Sequence, residues 1–340
     1  MIEDCERIIK TTSPQELFGT NEKRSKIVYR RLARAVHPDL YPDSEKKIAS
    51  QAFVKLTEYW ELYQNGAKTS TDHGKKAPKA GVMATGKHEY TLGDMFSDEG
   101  IYARYRASYD AGHQPVELFV TKDPTDNDLT GQYAEFLKLI SSEVPEKYHA
   151  FYPGFVEKFR YRGSDNRDHT VLAQTIPSGF SPMTKILEVY PQGINGRDVA
   201  WMFKRMLTAL GNAHDIGLVH GAATLNSFLI HPELHGLILS EWQYAVREGE
   251  VLTAIQAENQ NDYPQSVFDK EPATVHLDIA MAAKAARKLL HKDAPRQLHI
   301  FFQACMTTKK FKAAELLREF DILLERLYGP PRFHEFTLNP

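Results

Sequence analysis

Apolar residues recur at helical spacing in two consecutive segments near the start of the chain. One segment spans residues 23–36, and the other spans residues 45–63. On a helix that turns by about 100° per residue, each segment collects its apolar side chains on one side. The first set is Val28, Tyr29, Leu32, Ala33, Ala35 and Val36, and the second is Ala49, Ala52, Phe53, Leu56, Tyr59, Trp60 and Tyr63. The two stripes predict a pair of antiparallel helices that pack through these faces.

The hydrophobic pattern changes twice beyond this pair. Residues 66–87 are rich in Gly, Lys, Thr and Ala and lack an apolar period, which indicates a flexible linker. Alternation typical of strands follows, for instance at residues 116–120, and long helical patterns dominate from Arg197 onward. Strands followed by helices indicate an α+β or two-lobed fold. We therefore predict a small all-α unit at 1–65, the linker, and a large α+β domain at 88–340.

The composition is that of a soluble globular protein without a strong bias of charge. The 340 residues carry a net charge of −2, with 42% hydrophobic and 25% charged residues, so the whole chain does not attract nucleic acid or anionic membranes. The two cysteines, Cys5 and Cys305, provide neither a disulfide framework nor a zinc site and fit a reducing compartment. No apolar run is long enough to span a bilayer, and the N-terminus is unlike a signal peptide. We expect a cytoplasmic protein that binds neither membranes nor nucleic acid.

The basic residues of the first helix are a local exception to this balance. They fall on the face opposite the apolar stripe: Lys23, Arg24, Lys26, Arg30, Arg31 and Arg34. Such a stripe is either a solvated charged face or a docking surface for an acidic partner. The helix must end near Val36, because Pro38 fixes its own φ and disfavours helical geometry at His37. His37, Pro38 and Asp39 are therefore expected on an exposed loop between the two helices.

A His-Pro-Asp loop between a basic helix and a second amphipathic helix resembles the J domain of DnaJ-type co-chaperones. The resemblance covers roughly residues 12–64 and rests on the tripeptide, on residues 29–33 and on residues 52–56. A first helix shortened to about Pro14–Phe18 is expected, and no segment suggests a helix after the pair. The resemblance implies that Asp39 engages a cation on a DnaK-type ATPase while the basic helix lies on its acidic surface. The contact would stimulate ATP hydrolysis by the partner.

The large domain resembles a protein kinase in the order of its segments. A long amphipathic helix at 198–215 precedes the segment 218–230, a strand-like run follows at 236–245, and Asp278 opens another helix. Kinases have the same order of helix, catalytic loop, strand pair with a metal-binding motif, and a helix with a structural aspartate.

The segments before the helix at 198–215 complete the resemblance to kinases. Residues 116–120 resemble the strand that carries the ATP-binding lysine, and residues 187–190 resemble the hinge between the lobes. The resemblance implies a kinase-like N-lobe at 88–190 and a helical C-lobe at 191–340.

The residues that perform phosphoryl transfer in kinases are replaced at the matching positions. That chemistry needs a lysine with its glutamate partner, an aspartate and an asparagine in the catalytic loop, and a metal-binding aspartate. The matching positions hold Phe119, Tyr133, Ala222, Ser227 and Glu241, and the loop begins with His220. Loss of the lysine and the base together removes orders of magnitude in rate. We therefore predict a pseudokinase with no catalytic residues, no metal site and no cofactor, although binding of ATP with Mg²⁺ stays an alternative.

These observations favour a co-chaperone adaptor that recruits and activates a DnaK-type ATPase, while residues 88–340 bind a client or partner. Two alternatives stay open. An atypical kinase or nucleotide-binding switch would need Glu241, Asn226 or Lys122 to take over the metal and phosphate roles. A J-like hairpin could instead bind nucleic acid through its basic helix, with steep salt dependence.

Overall fold

The chain divides into two compact units, one with the N-terminal helices and one with the sheet and helices that follow. The computed structural model describes residues 2–19, 22–36, 41–42, 44–68, 81–110, 112, 114–307, 309 and 311–338. The tripeptide His37-Pro38-Asp39 lies outside the described residues, as do the side chains of Lys23, Arg24, Lys26, Arg30 and Arg34. Of the basic stripe, Arg31 is described, and its side chain is exposed.

The described part of the N-terminal unit consists of helices joined by short connections. They are α1 (Ile2–Lys10), α2 (Pro14–Phe18), α3 (Glu22–Ala35) and α4 (Lys46–Lys68). Helices α3 and α4 occupy the two segments with apolar periodicity, and Tyr29 of α3 stacks on Trp60 of α4 with ring centroids 4.6 Å apart. Phe18 of α2 lies edge-on to Trp60 and to Tyr63, at 5.2 and 5.5 Å. An aromatic cluster therefore joins three of the helices.

Helix α1 is an element that the sequence pattern does not predict. Its Cys5 and Ile8 are fully buried. Two side chains of α4 bind the backbone where α1 ends: Lys55 Nζ donates to the Ile9 carbonyl at 2.6 Å, and the Tyr59 hydroxyl donates to the Thr11 carbonyl at 3.1 Å. The last carbonyls of a helix have no partner within the helix, so these contacts fix α1 on α4.

Ordered structure extends into both ends of the predicted linker, residues 66–87. Helix α4 continues to Lys68, and a strand, β1 (Val82–Ala84), begins the sheet. Composition alone misses this strand because its pairing is specified by the neighbouring strand, where Val82 lies opposite Thr91. Residues 69–80 lie outside the described part.

Six strands form one antiparallel sheet in the order β1-β2-β3-β4-β6-β5. After β1 these are β2 (Glu89–Ser97), β3 (Tyr102–Tyr109), β4 (Gln114–Thr121), β5 (Gly154–Arg162) and β6 (Asp168–Thr175), with helix α5 (Asn127–Glu143) between β4 and β5. The strand predicted at 116–120 is confirmed as β4. Its side chains alternate between the two faces. Arg104 of β3 lies directly opposite Phe119 of β4, so the two side chains share the face that meets the helical part of the domain.

The rest of the large unit is mainly helical. Its helices are α6 (Thr184–Val189), α7 (Gly196–Asp215), α8 (Gln265–Phe268), α9 (Val275–Leu289), α10 (Arg296–Thr307) and α11 (Ala313–Tyr328). Short strands lie among them: β7 (Ser181–Pro182), β8 (Leu218–Val219), β9 (Phe228–His231), β10 (Gly236–Leu239) and β11 (Val246–Arg247). Phe203 of α7 contacts Phe302 of α10 and Phe320 of α11, with centroids 5.0 and 5.2 Å apart. This cluster centres the core on α7, at the position of the predicted helix 198–215.

The border between the two lobes lies earlier than residues 187–190, where the resemblance placed the hinge. Those residues lie on α6 or directly after it, and the main sheet ends at Thr175. Strand β7 already belongs to the helical lobe, because Ser181 pairs with Ile230 of β9. Both limits of the predicted N-lobe, 88–190, therefore move toward the N-terminus, and the start of the predicted C-lobe, 191–340, moves with them. In the described ranges, no helix is long and apolar enough to cross a bilayer.

Candidate functional site

An aromatic cluster fills the place where the sheet, α5 and the segment after β10 come together. Phe119 of β4 is buried, and its ring lies 5.2 Å from Tyr102 of β3 and 6.1 Å from Tyr133 of α5. Burial raises the pKa of the Tyr133 hydroxyl, so this group stays protonated. The positions matched to the lysine of kinases and its glutamate partner are thus neighbours in space, and apolar packing joins them.

A buried ion pair closes this cluster. Arg104 Nη2 donates to Glu241 Oε1 at 2.5 Å, and the two side chains are 20% and 6% exposed. Gln243 Nε2 donates to the other carboxylate oxygen at 2.5 Å, so both oxygens of Glu241 are engaged. The guanidinium also lies 4.7 Å from the centre of the Phe119 ring, a cation–π contact. Burial alone would lower the pKa of Arg104, but the Glu241 carboxylate outweighs it and raises that pKa.

Glu241 adopts a backbone conformation that is costly for a residue with a side chain. Its φ is 68°, in the left-handed region. Its backbone N–H donates to the Tyr133 hydroxyl at 3.2 Å, and its carboxylate is held by Arg104 and Gln243. These contacts fix the residue in one orientation, with its side chain under the sheet.

A second residue of helix α5, Gln132, binds the segment 241–245. Gln132 Nε2 donates to the carbonyls of Gln243 and Ala245, at 3.2 and 2.6 Å. Together with the bond between Glu241 and Tyr133, this holds α5 against residues 241–245. The lobes are therefore joined by specific polar contacts around the ion pair.

A second cluster anchors the segment that resembles a catalytic loop. Asp278 of α9 accepts the backbone N–H groups of His220 and Gly221 at 2.7 and 2.8 Å, and His214 Nε2 lies 2.9 Å from the same carboxylate. His220 Nε2 donates to the Ser240 carbonyl at 2.7 Å, and burial lowers the pKa of this imidazole, which keeps it neutral. Gly221 has φ 73°, and a Cβ there would lie 2.6 Å from the Tyr244 carbonyl oxygen. Only glycine fits at this position.

Neutral hydrogen bonds surround Ala222 and Ser227, the residues that the sequence matched to the catalytic base and the asparagine. Ser227 Oγ donates to the Ala222 carbonyl at 2.6 Å and accepts from Gln256 Nε2 at 3.1 Å. Thr224 Oγ1 donates to Gln256 Oε1 at 2.7 Å, and the Tyr263 hydroxyl accepts from the Gln256 backbone N–H at 3.0 Å. All five residues are buried. Side-chain and backbone groups of these residues bond to one another, and none of the five side chains is a carboxylate that could accept a proton from a substrate hydroxyl.

The arrangement defines a fold. An antiparallel sheet with one helix lies above a helical lobe, and a loop between the lobes is fixed by the buried Asp278 of α9. This is the two-lobed α+β fold of protein kinases. The predicted fold of the large domain is confirmed at this level.

Comparison with solved structures gives the same fold. The chain is similar to vaccinia related kinase 3, with a TM-score of 0.59 and 16% identity over 80% of this chain and 97% of that one. It is also similar to the kinase domain of BubR1, with a TM-score of 0.56 and 13% identity over 80% of this chain and 93% of that one. At such identities the likeness concerns the fold alone. No protein-family model and no curated protein matches the sequence.

The structure gathers the predicted site residues of the large domain into two groups. The cluster below the sheet holds Phe119, Tyr133 and Glu241, and the loop cluster holds His220, Ala222, Ser227 and Asp278. Sequence reasoning missed Arg104, Gln132 and Gln256, which complete both groups. One signal was available for Arg104: a carboxylate at position 241 without a lysine on β4 needs another cation if it is buried. Over the part of the chain that the structure describes, no group of three or more His, Cys, Asp and Glu side chains could hold a metal ion.

Proposed function

We propose that this chain is a J-domain co-chaperone that recruits a DnaK-type chaperone and stimulates its ATPase. The observation that carries the proposal is the tripeptide His37-Pro38-Asp39, placed between α3 and α4, with a basic stripe on α3. In this proposal Asp39 engages a cation of the ATPase, and the stripe binds its acidic surface. Cys5 and Cys305 are free and buried, which fits a reducing cytoplasm.

The kinase-like domain is, in this proposal, a scaffold without kinase activity that binds a client or partner. Three features support it. The lysine position holds Phe119, the base position holds Ala222, and both oxygens of Glu241 are already bound within the protein. Phosphoryl transfer needs a free carboxylate for the metal and a base or positioned acceptor for the nucleophile. The ATP chemistry then belongs to the partner chaperone.

The J-domain proposal is tested by the steady-state ATPase rate of a bacterial-type DnaK titrated with the full chain. We expect a saturable increase in rate with the wild-type protein and its loss in Asp39→Asn. Asp43→Asn is the matched control, because it removes the same charge from the same segment outside the tripeptide. If stimulation is absent, or if Asp39→Asn stimulates as well as Asp43→Asn, the chain is not a J-domain co-chaperone.

A nucleotide-binding switch is a second candidate, because Glu241 places one carboxylate at the metal-binding position. Titration with a fluorescent ATP analogue and Mg²⁺ separates the two functions. The scaffold predicts no saturable binding. Saturable binding that is lost in Glu241→Gln but kept in Glu248→Gln, where the carboxylate is exposed, would favour the switch.

A further inference from the structure

Residues 331–338, which we call the tail segment, pack on the helical lobe although none of them belongs to a helix or a strand. Phe336 is buried, and its ring lies 6.1 Å from Tyr190, directly after α6, and 6.4 Å from Trp201 of α7. The Tyr190 hydroxyl donates to the carbonyl of Thr337 at 2.9 Å. The tail segment is therefore held by specific contacts with the lobe.

A stack of three rings holds the first half of the tail segment. His235, in the turn between β9 and β10, lies nearly parallel to Trp201, with ring centroids 4.2 Å apart. Phe333 of the tail segment stacks on His235, with centroids 4.4 Å apart. The φ of His235 is 50°, in the left-handed region, which is uncommon for a residue with a side chain. Such conformations persist where surrounding contacts require them, and here the ring stack does so.

The charge of the lobe also matches the tail segment. The carboxylate of Asp198 is only 7% exposed and lies 2.8 Å from Nδ1 of His334, whose side chain is 45% exposed. Burial raises the pKa of Asp198, and the bond to His334 acts against this shift. A carboxylate at this depth favours an occupant that donates a hydrogen bond or carries a positive charge. The aromatic surface, as we call it, consists of Tyr190, Asp198, Trp201 and His235.

The tail segment satisfies the aromatic surface only in part. The indole N–H of Trp201 is buried and has no acceptor within the described ranges of the chain. A buried donor without an acceptor is unfavourable, so an occupant that supplied an acceptor there would bind better. Phe333 is also still exposed, although its ring is stacked. These features are those of an occupant that another chain segment can displace.

We propose that the aromatic surface binds extended segments of unfolded clients and that the tail segment covers it in their absence. The proposal rests on the co-chaperone function proposed above and names the client site of the kinase-like domain. The tail segment indicates the chemistry of the client: two aromatic residues three positions apart, with a basic residue directly after the first. Unfolded proteins expose such segments, whereas folded proteins bury most of their large aromatic side chains.

The test uses full-length variants in which the tail segment is released. A tethered segment acts at an effective concentration on the order of 1 mM, so a dilute peptide cannot displace it from the wild type. Phe336→Ala removes the buried ring of the tail segment. Phe268→Ala is the matched control, because it removes an exposed ring of α8 from the same lobe. His334→Ala is a milder second variant, since its side chain is partly exposed and its loss leaves the core intact.

The first measurement is the rate at which trypsin cleaves after Arg332, followed by mass spectrometry. Cleavage requires the neighbouring residues to leave the lobe, so its rate reports the population of the released tail segment. We expect cleavage about tenfold faster in Phe336→Ala than in the wild type, and about fivefold faster in His334→Ala, as for the loss of one ordinary hydrogen bond. Phe268→Ala should be cleaved at the wild-type rate.

The second measurement is the fluorescence anisotropy of a labelled peptide with the sequence of residues 331–338. It should bind Phe336→Ala saturably and at least about tenfold more tightly than the wild type or Phe268→Ala. The same peptide with Phe336→Ala should not bind. Reduced and carboxymethylated α-lactalbumin, which is permanently unfolded, should displace the peptide, and native α-lactalbumin should not.

The possible results separate the parts of the proposal. Equal cleavage of Phe336→Ala and Phe268→Ala overturns the covering role of the tail segment, and a failure of the peptide to bind Phe336→Ala overturns the binding role of the aromatic surface. Peptide binding that unfolded α-lactalbumin does not displace overturns the client assignment; a wild-type dimer in sedimentation would then identify a second copy as the occupant. None of these measurements contains DnaK. If unfolded α-lactalbumin binds but the wild type does not stimulate DnaK, the co-chaperone function is wrong and the binding site is supported.

Discussion

Replacing Arg104 by methionine should destabilise the kinase-like domain far more than removing an exposed arginine does. Methionine keeps an apolar side chain over the Phe119 ring but leaves Glu241, which is 6% exposed, without its cation. Breaking one partner of a buried ion pair typically costs about 3–5 kcal/mol, because the remaining charge stays buried and uncompensated. The bond from Gln243 satisfies one oxygen and does not supply a charge. For a domain of this size the melting temperature should fall by roughly 10 °C.

Urea unfolding followed by tryptophan fluorescence measures this change, since Trp242 is fully buried beside Glu241. Arg162→Met is the matched control: its guanidinium pairs with Asp168 at 2.6 Å, but the side chains are 60% and 52% exposed. Exposed pairs contribute about 0–1 kcal/mol. Substituting Arg104→Met together with Glu241→Leu should recover much of the loss, because replacing both partners is often neutral. The reasoning fails if Arg104→Met costs no more than the control, or if the double variant is less stable than the single one.

Two further predictions concern buried carboxyl groups. Burial raises the pKa of Glu117 from 4.5 to about 7, although the charges of Arg104 and Arg106 act to lower it. Between these pH values the unfolded chain releases a proton that the folded chain keeps, so the free energy of unfolding of the wild type falls as pH rises. The free energy of unfolding of Glu117→Gln should therefore rise by about 1–3 kcal/mol relative to wild type from pH 4.5 to pH 8. A difference in urea midpoints that does not change with pH would contradict this. Asp278→Asn should cost about 2–4 kcal/mol by urea unfolding, because the backbone amides of His220 and its neighbour lose charged acceptors. The exposed Asp321→Asn serves as its control, and equal costs would refute the anchoring role.

The elements with long apolar periods were predictable because their core-facing residues lie close together in sequence. This holds for α3, α4 and α7, and for β4 through its alternation. Helix α1 was not predictable in this way, since a helix of nine residues is marginal by itself. It depends on α4, where Lys55 and Tyr59 bind the backbone at its end. The extent of the linker was misjudged for a similar reason, because β1 exists through its pairing with β2.

The candidate site was also predictable only where the information is local in sequence. The residues matched to the kinase machinery, such as Phe119 and Ala222, could be named from the order of segments, because each match concerns a single position. The contacts that replace the lost residues join distant positions: Arg104 and Glu241 are 137 residues apart, and Gln132 and Ala245 are 113 apart. No local pattern specifies such pairs. They follow only once the fold has placed β3, α5 and the segment after β10 together.

The residues at the positions matched to the kinase machinery are physically coupled in the cleft. Phe119, at the position matched to the lysine, provides no cation for the buried carboxylate of Glu241. Arg104 supplies a cation from the neighbouring strand and lies on the ring of Phe119, the residue at the position matched to the lysine. Tyr133, at the position matched to the glutamate partner, is neutral, so it adds no second carboxylate that would need a cation. Its hydroxyl accepts the Glu241 backbone N–H instead. Phe119, Tyr133 and Glu241 contact one another or share Arg104 as a partner, so a change at one of them disturbs the others. A lysine at position 119, for example, would place a second cation beside Arg104 with one carboxylate between them. The set is consistent with a cleft whose polar groups hold the two lobes together.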